Sequence, residues 1–273
     1  MQLAETSGAD FFVQDGFGVV HRAHASTEAI THELPSITGL LLEKEYVSIT
    51  GAMKNPKRPL VAVLGGAKVS DKLPLLQALV PIADQILVGG AMANTFLAAR
   101  GYNLGKSKYE ADQGVEIEEI MRQVTVKVGA GNGDEFLRLP SDVAVANSVD
   151  EASERKVVGI DAISDEELAL DIGERTIEDF AARVKTAHTV IWNGTMGYAE
   201  LPQFSHGSAR MALAIATNVS ATSVVGGGDT ADFVLGWDAK EGASFSHVST
   251  GGGASLERMS GQPLPGIEAL LDK

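Results

Sequence analysis

The sequence predicts an α/β protein: a Rossmann-like three-layer sandwich with a mostly parallel sheet, preceded by a remnant of a second α/β domain. Three observations carry this. A short apolar run passes into a glycine-rich turn and then into a helical pattern at five places along the chain. The runs are continuously apolar rather than alternating, as expected of parallel strands covered on both faces. Near the start, Phe11-Phe12-Val13 reads as a buried strand with nothing before it that could serve as a partner.

Residues 1–10 are small and polar, and the Phe11 strand leads into a turn at Asp15-Gly16-Phe17-Gly18. His21-Arg22-Ala23-His24 follows as a basic knot in an acidic protein. Such a knot suits an anionic ligand and equally a solvated turn. Residues 33–53 have helical periodicity, with Pro35 in the first turn, Ile37, Leu40, Leu41, Tyr46 and Ile49 on one side, and Asn55-Pro56 as the stop. A helix of that length between two strands reads as an interdomain spacer.

The repeated pattern begins at Leu60. Leu60-Val61-Ala62-Val63-Leu64 runs into Gly65-Gly66-Ala67-Lys68, and Gln85-Ile86-Leu87-Val88 into Gly89-Gly90-Ala91-Met92. Thr189-Val190-Ile191-Trp192 runs into Asn193-Gly194-Thr195-Met196, and Val224-Val225 into Gly226-Gly227-Gly228-Asp229-Thr230. Residues 245–249 run into Thr250-Gly251-Gly252-Gly253-Ala254. Right-handed βαβ crossovers put every one of these turns on one edge of the sheet, where open α/β sheets bind ligands. In the fourth turn, successive glycines allow close backbone approach, and the amides opening the next helix point outward, which suits a phosphate. Asp229 would repel that phosphate unless a divalent cation lay between them, so it is a Mg²⁺ ligand candidate; the other reading is an ordinary Asp N-cap. Lys68 and Lys72, four apart at the start of a helix, would lie on one face a turn apart. Both like-charge repulsion and the helix dipole oppose that placement, which points to a polyphosphate between them, the alternative being two solvated lysines with Asp71 as counter-charge.

From 109 to 172 the order loosens. Residues 110–123 read as an acidic amphipathic helix, residues 124–139 as two strands around an Asn132-Gly133 hairpin, and Asp142–Ala146 as a short strand; residues 176–186 are helical again. Arg100-Gly101-Tyr102-Asn103-Leu104-Gly105-Lys106-Ser107 ends like a phosphate loop. It has Arg100 where that motif requires glycine, however, and it follows a helix, so it is rejected. No G-x-G-x-x-G with a downstream ribose acid is present, which weighs against a dinucleotide.

A formal net charge of -14 in 273 residues argues against nucleic acid or an anionic membrane as a partner, and 44% hydrophobic residues is ample for a buried core. The absence of cysteine excludes disulfides and thiolate metal sites. No signal-peptide pattern opens the chain and no apolar run reaches membrane-spanning length, so a cytoplasmic location is the expectation.

Taken together, these stretches resemble phosphoglycerate kinase over nearly the whole chain, from Phe17 to Lys273. Phe17-Gly18-Val19-Val20-His21-Arg22-Ala23-His24-Ala25-Ser26 is similar to the segment closing that family's N-terminal domain. Leu64-Gly65-Gly66-Ala67-Lys68-Val69-Ser70-Asp71-Lys72 is similar to its first nucleotide-domain turn, and Trp192-Asn193-Gly194, Gly226-Gly227-Gly228-Asp229-Thr230 and Ser249-Thr250-Gly251-Gly252-Gly253-Ala254 follow in the family's order. The resemblance implies reversible phosphoryl transfer between 1,3-bisphosphoglycerate and ADP, giving 3-phosphoglycerate and ATP in glycolysis. By resemblance, Lys68 meets the transferring phosphoryl group, Lys72 the nucleotide phosphates, and Asp229 holds Mg²⁺. Gly89 and Gly90 let adenine lie flat, Glu200 takes the ribose hydroxyls, and Gly251, Gly252 and Gly253 stabilise the group in flight; Gly227, Gly228 and Thr230 belong to the same nucleotide site, and Arg22 to the glycerate site.

The chain also departs from the family's pattern. The family's opening portion, with most of its glycerate-binding arginines, has no counterpart here, and Arg22 alone remains of that set. Ala169 stands where the family usually has glycine, Thr195 where it usually has proline, and residues 128–134 look locally rearranged. The expected organisation is a remnant of the N-terminal substrate domain over 1–32, an interdomain helix over 33–56, the nucleotide domain over 57–258 and a C-terminal segment over 259–273. Two functions follow: an incomplete phosphoglycerate kinase, a monomer when complete, or a free-standing ATP/ADP-binding module without transfer activity. Its partners would be small-molecule substrates, with no nucleic acid and no membrane.

Overall fold

The computed structural model describes residues 2–271. The chain opens with α1 (Gln2–Ser7), β1 (Phe12–Gln14), β2 (Ser36–Thr38) and α2 (Leu40–Lys54). The repeating part follows with β3 (Leu60–Leu64), α3 (Leu73–Leu79), β4 (Gln85–Val88) and α4 (Gly90–Ala99). Next come α5 (Gly114–Val128), α6 (Gly133–Phe136), β5 (Leu137–Arg138), β6 (Asp142–Ala146), β7 (Lys156–Gly159) and β8 (Leu168–Ile172). The chain continues through α7 (Glu174–Thr186), β9 (Thr189–Asn193), α8 (His206–Thr217), β10 (Thr222–Gly226) and α9 (Gly228–Trp237), and then β11 (His247–Val248), α10 (Gly253–Met259) and α11 (Pro265–Leu271).

Six strands form one sheet in the order β11-β10-β9-β3-β4-β5, with every pair parallel. The continuously apolar strands meet the expectation of two covered faces. In β3, Leu60, Ala62 and Leu64 point into one core with Leu75, Leu76, Ile120 and Ile267, whereas Val61 and Val63 point into another with Phe180, Met211 and Val234. Helices therefore cover both sides, and alternate strand residues divide between them. Beyond β4 the chain adds a separate antiparallel sheet, β7-β6-β8. No helix among the described residues is long and apolar enough to cross a membrane.

Strand order reverses between β3 and β9: from β3 the chain steps outward to β4, and from β9 it steps the other way to β10 and β11. At such a switch point the two following turns diverge and leave a crevice beyond the carboxyl ends of the strands. Here it opens between Gly65-Gly66 and Gly194-Thr195. The turns are bonded to each other at its floor, the Gly65 amide donating to Asn193 O at 3.0 Å and the Gly66 amide to Thr195 O at 2.8 Å. Gly194 has φ +96°, and a Cβ there would collide with the Gly65 carbonyl, so glycine is required for this approach.

Several sequence expectations are corrected. The helix of residues 33–53 begins only at Leu40, because residues 36–38 are a strand that pairs in parallel with β1, Phe12 opposite Ser36. The Phe11 strand is thus provided with a partner from later in the chain. The late helix start also has a remote cause: Asp15, just after β1, accepts the Leu41 and Leu42 amides on one Oδ1 at 2.7 and 3.0 Å and so caps α2 from outside. The Asn132-Gly133 hairpin is absent. Instead α5 runs on through Val128, placing Ile117, Ile120 and Val124 in the core, and Gly129 at φ +85° ends it. Its β-branched residues favour a strand locally, but burial of one helical face outweighs that preference. The fifth strand is shorter than expected, residues 247–248 only.

Candidate functional site

All five glycine turns border two cavities at the crevice. The first is a cleft of about 230 Å³ with mainly apolar walls, among them Gly90, Ala91, Ala169, Leu170 and Met196. The second is a groove of about 400 Å³ bordered by Lys68, Lys72, Asn193, Gly194, Gly228, Gly252 and Gly253. Ala67, Lys108 and Asp229 line both, and so mark the neck where one opens into the other.

Lys68 and Lys72 do not share a helical face. Helix α3 starts at Leu73, and residues 67–72 form a turn of their own that sends the two lysines in different directions. The Lys72 amine turns inward over the crevice and donates to Gly65 O at 2.5 Å. Burial pulls its pKa down to about 8, against the opposing pull of Asp229 and Asp71. Lys68 stays out, its side chain 71% exposed, with Asp71 at 3.9 Å. The turn that carries both lysines is held from across the molecule by Glu110, which accepts the Ser70 amide at 2.8 Å and the Ser70 hydroxyl at 3.3 Å.

Asp229 is not an N-cap. Gly227, at φ +94°, holds the cap position, and Asp229 lies in the first turn of α9, exposed at the neck and outside any ion pair among the described residues. The first α9 amide to meet a carbonyl inside the helix is that of Ala231, on Gly227 O at 2.9 Å, so the amides before it are available at the groove. Thr230 lines the groove but is 1% exposed, and its hydroxyl accepts the Gly194 amide at 2.7 Å, fixing the neighbouring turn.

Glu200 is exposed and borders the cleft, and Gly90 lines it; Gly89 lies behind, packed on Met196. Gly252 and Gly253 line the groove. Gly251 instead is buried under the Phe17 ring, where any Cβ would collide. Arg22 is exposed and lines neither cavity. The residue of the basic knot that approaches the triglycine turn is His21, whose Nε2 would stand 3.2 Å from a Cβ at Gly253. The rejected phosphate-loop look-alike is structural: the Lys106 amine pairs with Glu166.

Four contributors were not singled out from the sequence. Asn193, 1% exposed, lines the groove, and its Nδ2 is buried without a hydrogen-bond partner. Lys108 is at the neck, and Glu110 secures the lysine turn. Asp171 borders the cleft, 3% exposed, where burial raises its pKa to about 7 although the Gly207 and Ile172 amides donate to it at 2.9 Å each. Asn193 was visible as part of the turn after β9, but an unpartnered amide is a property of packing. Lys108, Glu110 and Asp171 reach the site through contacts between segments far apart in sequence, which no local pattern records.

The family model described as phosphoglycerate kinase matches residues 2–262. The phosphoglycerate kinase of Moorella thermoacetica is 44% identical over 274 residues, covering 100% of this chain and 66% of the relative. That of Chloroflexus aggregans is 45% identical over 265 residues, with 96% and 64% covered. Among solved structures, the phosphoglycerate kinase from Coxiella burnetii superposes with a TM-score of 0.89 at 38% identity, over 99% of this chain and 68% of that one. The enzyme of the same name from Pyrococcus horikoshii OT3 superposes with a TM-score of 0.83 at 30% identity, over 98% and 65%. The chain spans 66% of the length of the first two curated relatives it matches.

Proposed function

The chain belongs to the phosphoglycerate kinase family, and on that premise we propose that it binds the magnesium complex of ADP or ATP across the two cavities, as the nucleotide side of phosphoryl exchange with 1,3-bisphosphoglycerate. One observation carries the reading: an apolar cleft and a groove furnished with lysines, glycine amides and an unpartnered asparagine amide meet at the switch point of a parallel sheet. The nucleoside belongs in the cleft, with Gly90 and Ala169 against the base and Glu200 toward the ribose. The phosphates belong in the groove.

There the Lys72 amine and the orphaned Asn193 Nδ2 are donors in search of an anion, and an incoming phosphate oxygen satisfies both. The free amides of Gly228 and Asp229 add to them. Asp229 fits Mg²⁺. It is a hard oxygen ligand, exposed and unpaired, and no cluster of three or more metal-binding side chains occurs among the described residues. A single carboxylate suits a cation that arrives on the phosphates and keeps its waters. When bound, that ion neutralises phosphate charge.

In the proposed reaction a terminal oxygen of ADP forms a bond to the acyl phosphorus while the acyl oxygen–phosphorus bond breaks. The electron pair remains on the departing carboxylate, and no enzyme nucleophile is required. Catalysis then rests on position and charge. Lys68, exposed and held only by a long contact to Asp71, is free to follow the group in transit, and the backbone at Gly252 and Gly253 faces it from across the groove. Titration calorimetry tests the reading: MgADP is expected to bind the folded chain at one site, and no detectable binding at millimolar MgADP would refute the site assignment.

A further inference from the structure

We infer that Lys108 is a third cation of this site, contacting the phosphate nearest the ribose of a bound nucleoside di- or triphosphate at the neck between the cleft and the groove. The inference rests on the nucleotide reading above and adds a residue to it.

Location comes first. Lys68 and Lys72 border the groove alone, whereas Lys108 borders both cavities, sharing that position with Ala67 and Asp229. Any molecule with its apolar end in the cleft and its anionic end in the groove must pass through the neck, and the first negative charge to leave the cleft does so beside Lys108. Lys108 is therefore in place for that charge, in addition to the Lys72 amine, which feels the pull of Asp229 at the same neck.

The root of Lys108 is fixed while its amine is free. Asn94 Nδ2 donates to Lys108 O at 3.2 Å, the Ala169 amide donates to the Ser107 hydroxyl at 2.8 Å, and the Glu110 amide donates to the Thr95 hydroxyl at 3.1 Å. These bonds tie the segment on both sides of Lys108 to α4 and β8, so the side chain rises from a defined point over the neck. Lys106, two residues earlier, spends its charge on Glu166. Lys108 makes no ion pair among the described residues, although the chain carries 36 acidic side chains against 22 lysines and arginines. A pinned lysine that stays unpaired in so acidic a protein, facing a cavity, is well placed for an external anion. The exposed carboxylate of Asp229 lines the same neck, and no ion pair joins it to Lys108 among the described residues.

The experiment compares wild type, Lys108→Met and Lys108→Arg by titration calorimetry with MgADP at low and high salt, with circular dichroism as the check on folding. Methionine keeps most of the apolar stem of the side chain and removes the ammonium group. Lys108→Met is expected to bind MgADP about tenfold more weakly, with a shallower salt dependence, and Lys108→Arg is expected to return to within about threefold of wild type. Affinity of Lys108→Met within about twofold of wild type would overturn the inference while leaving the nucleotide site standing. A loss that Lys108→Arg does not recover would overturn it as well, since the side chain would then serve by shape. Failure of the wild type to bind MgADP would instead remove the reading on which it rests.

Discussion

Lys72 is a buried cation whose proton is held more loosely than usual. Its amine is folded under the Gly65-Gly66 turn, and desolvation lowers its pKa to about 8 from an ordinary 10.5. The sign of the consequence is fixed. Between pH 8 and 10.5 the unfolded chain holds more of this proton than the folded one, so Lys72 makes the unliganded protein more stable as pH rises through that window. Bound phosphates act the other way and favour the charged amine. At pH 8.5 a pKa of about 8 leaves the free amine about a quarter protonated, so MgADP binding is expected to take up at most about three-quarters of a proton, read from the dependence of the calorimetric enthalpy on buffer ionisation, and affinity should fall as pH climbs above 8. In Lys72→Met the uptake should vanish and MgADP should bind at least about tenfold more weakly. Wild-type binding without proton exchange would contradict this account of Lys72.

At the level of elements, the site depends on how a short turn is held. Residues 67–72 are not helical, and the lysines they carry owe their divergence to that turn and to Glu110, which reaches it from a segment 40 residues later. Glu110→Ala removes acceptors for both the amide and the hydroxyl of Ser70 at a partly exposed position. Roughly 1 kcal/mol of local stability is at stake. Hydrogen exchange at the Ser70 amide is expected to speed up by about fivefold, and MgADP affinity to fall a few-fold as the turn loosens. Unchanged exchange at Ser70 would show that the turn holds itself. The same dependence on remote partners explains the elements misjudged from sequence. Asp15 decides where α2 starts, and burial of Val124 against the sheet carries α5 through a stretch with strand propensity.

For the molecule as a whole, the crevice proposed for the nucleotide is well furnished, whereas the basic knot proposed for the second substrate is sparse. Arg22 lies outside both cavities, while His21 of the basic knot comes near the triglycine turn. Phe11, Val13, Ile37, Leu40 and Leu41 stand between 43 and 83% exposed around the small β1–β2 sheet, an apolar face with open edges. A highly charged acyl phosphate needs several cations to fix its far end, and poor orientation forfeits much of the roughly 7–11 kcal/mol that positioning can supply. The 273-residue chain is accordingly expected to bind MgADP yet form little ATP from 1,3-bisphosphoglycerate in a coupled assay; turnover at the level of the full-length relatives would overturn this. The apolar runs and their glycine turns were enough to place five strands in one parallel sheet and their turns on one rim, because run length, continuous apolarity and the need for glycine are recorded residue by residue. Tertiary structure alone decided that Lys72 points in and Lys68 out, that Gly251 lies under Phe17, that the Asn193 amide is left without a partner, and that Lys108 lines both cavities. Each of these follows from groups brought together from distant parts of the chain, and such contacts leave no local periodicity to read.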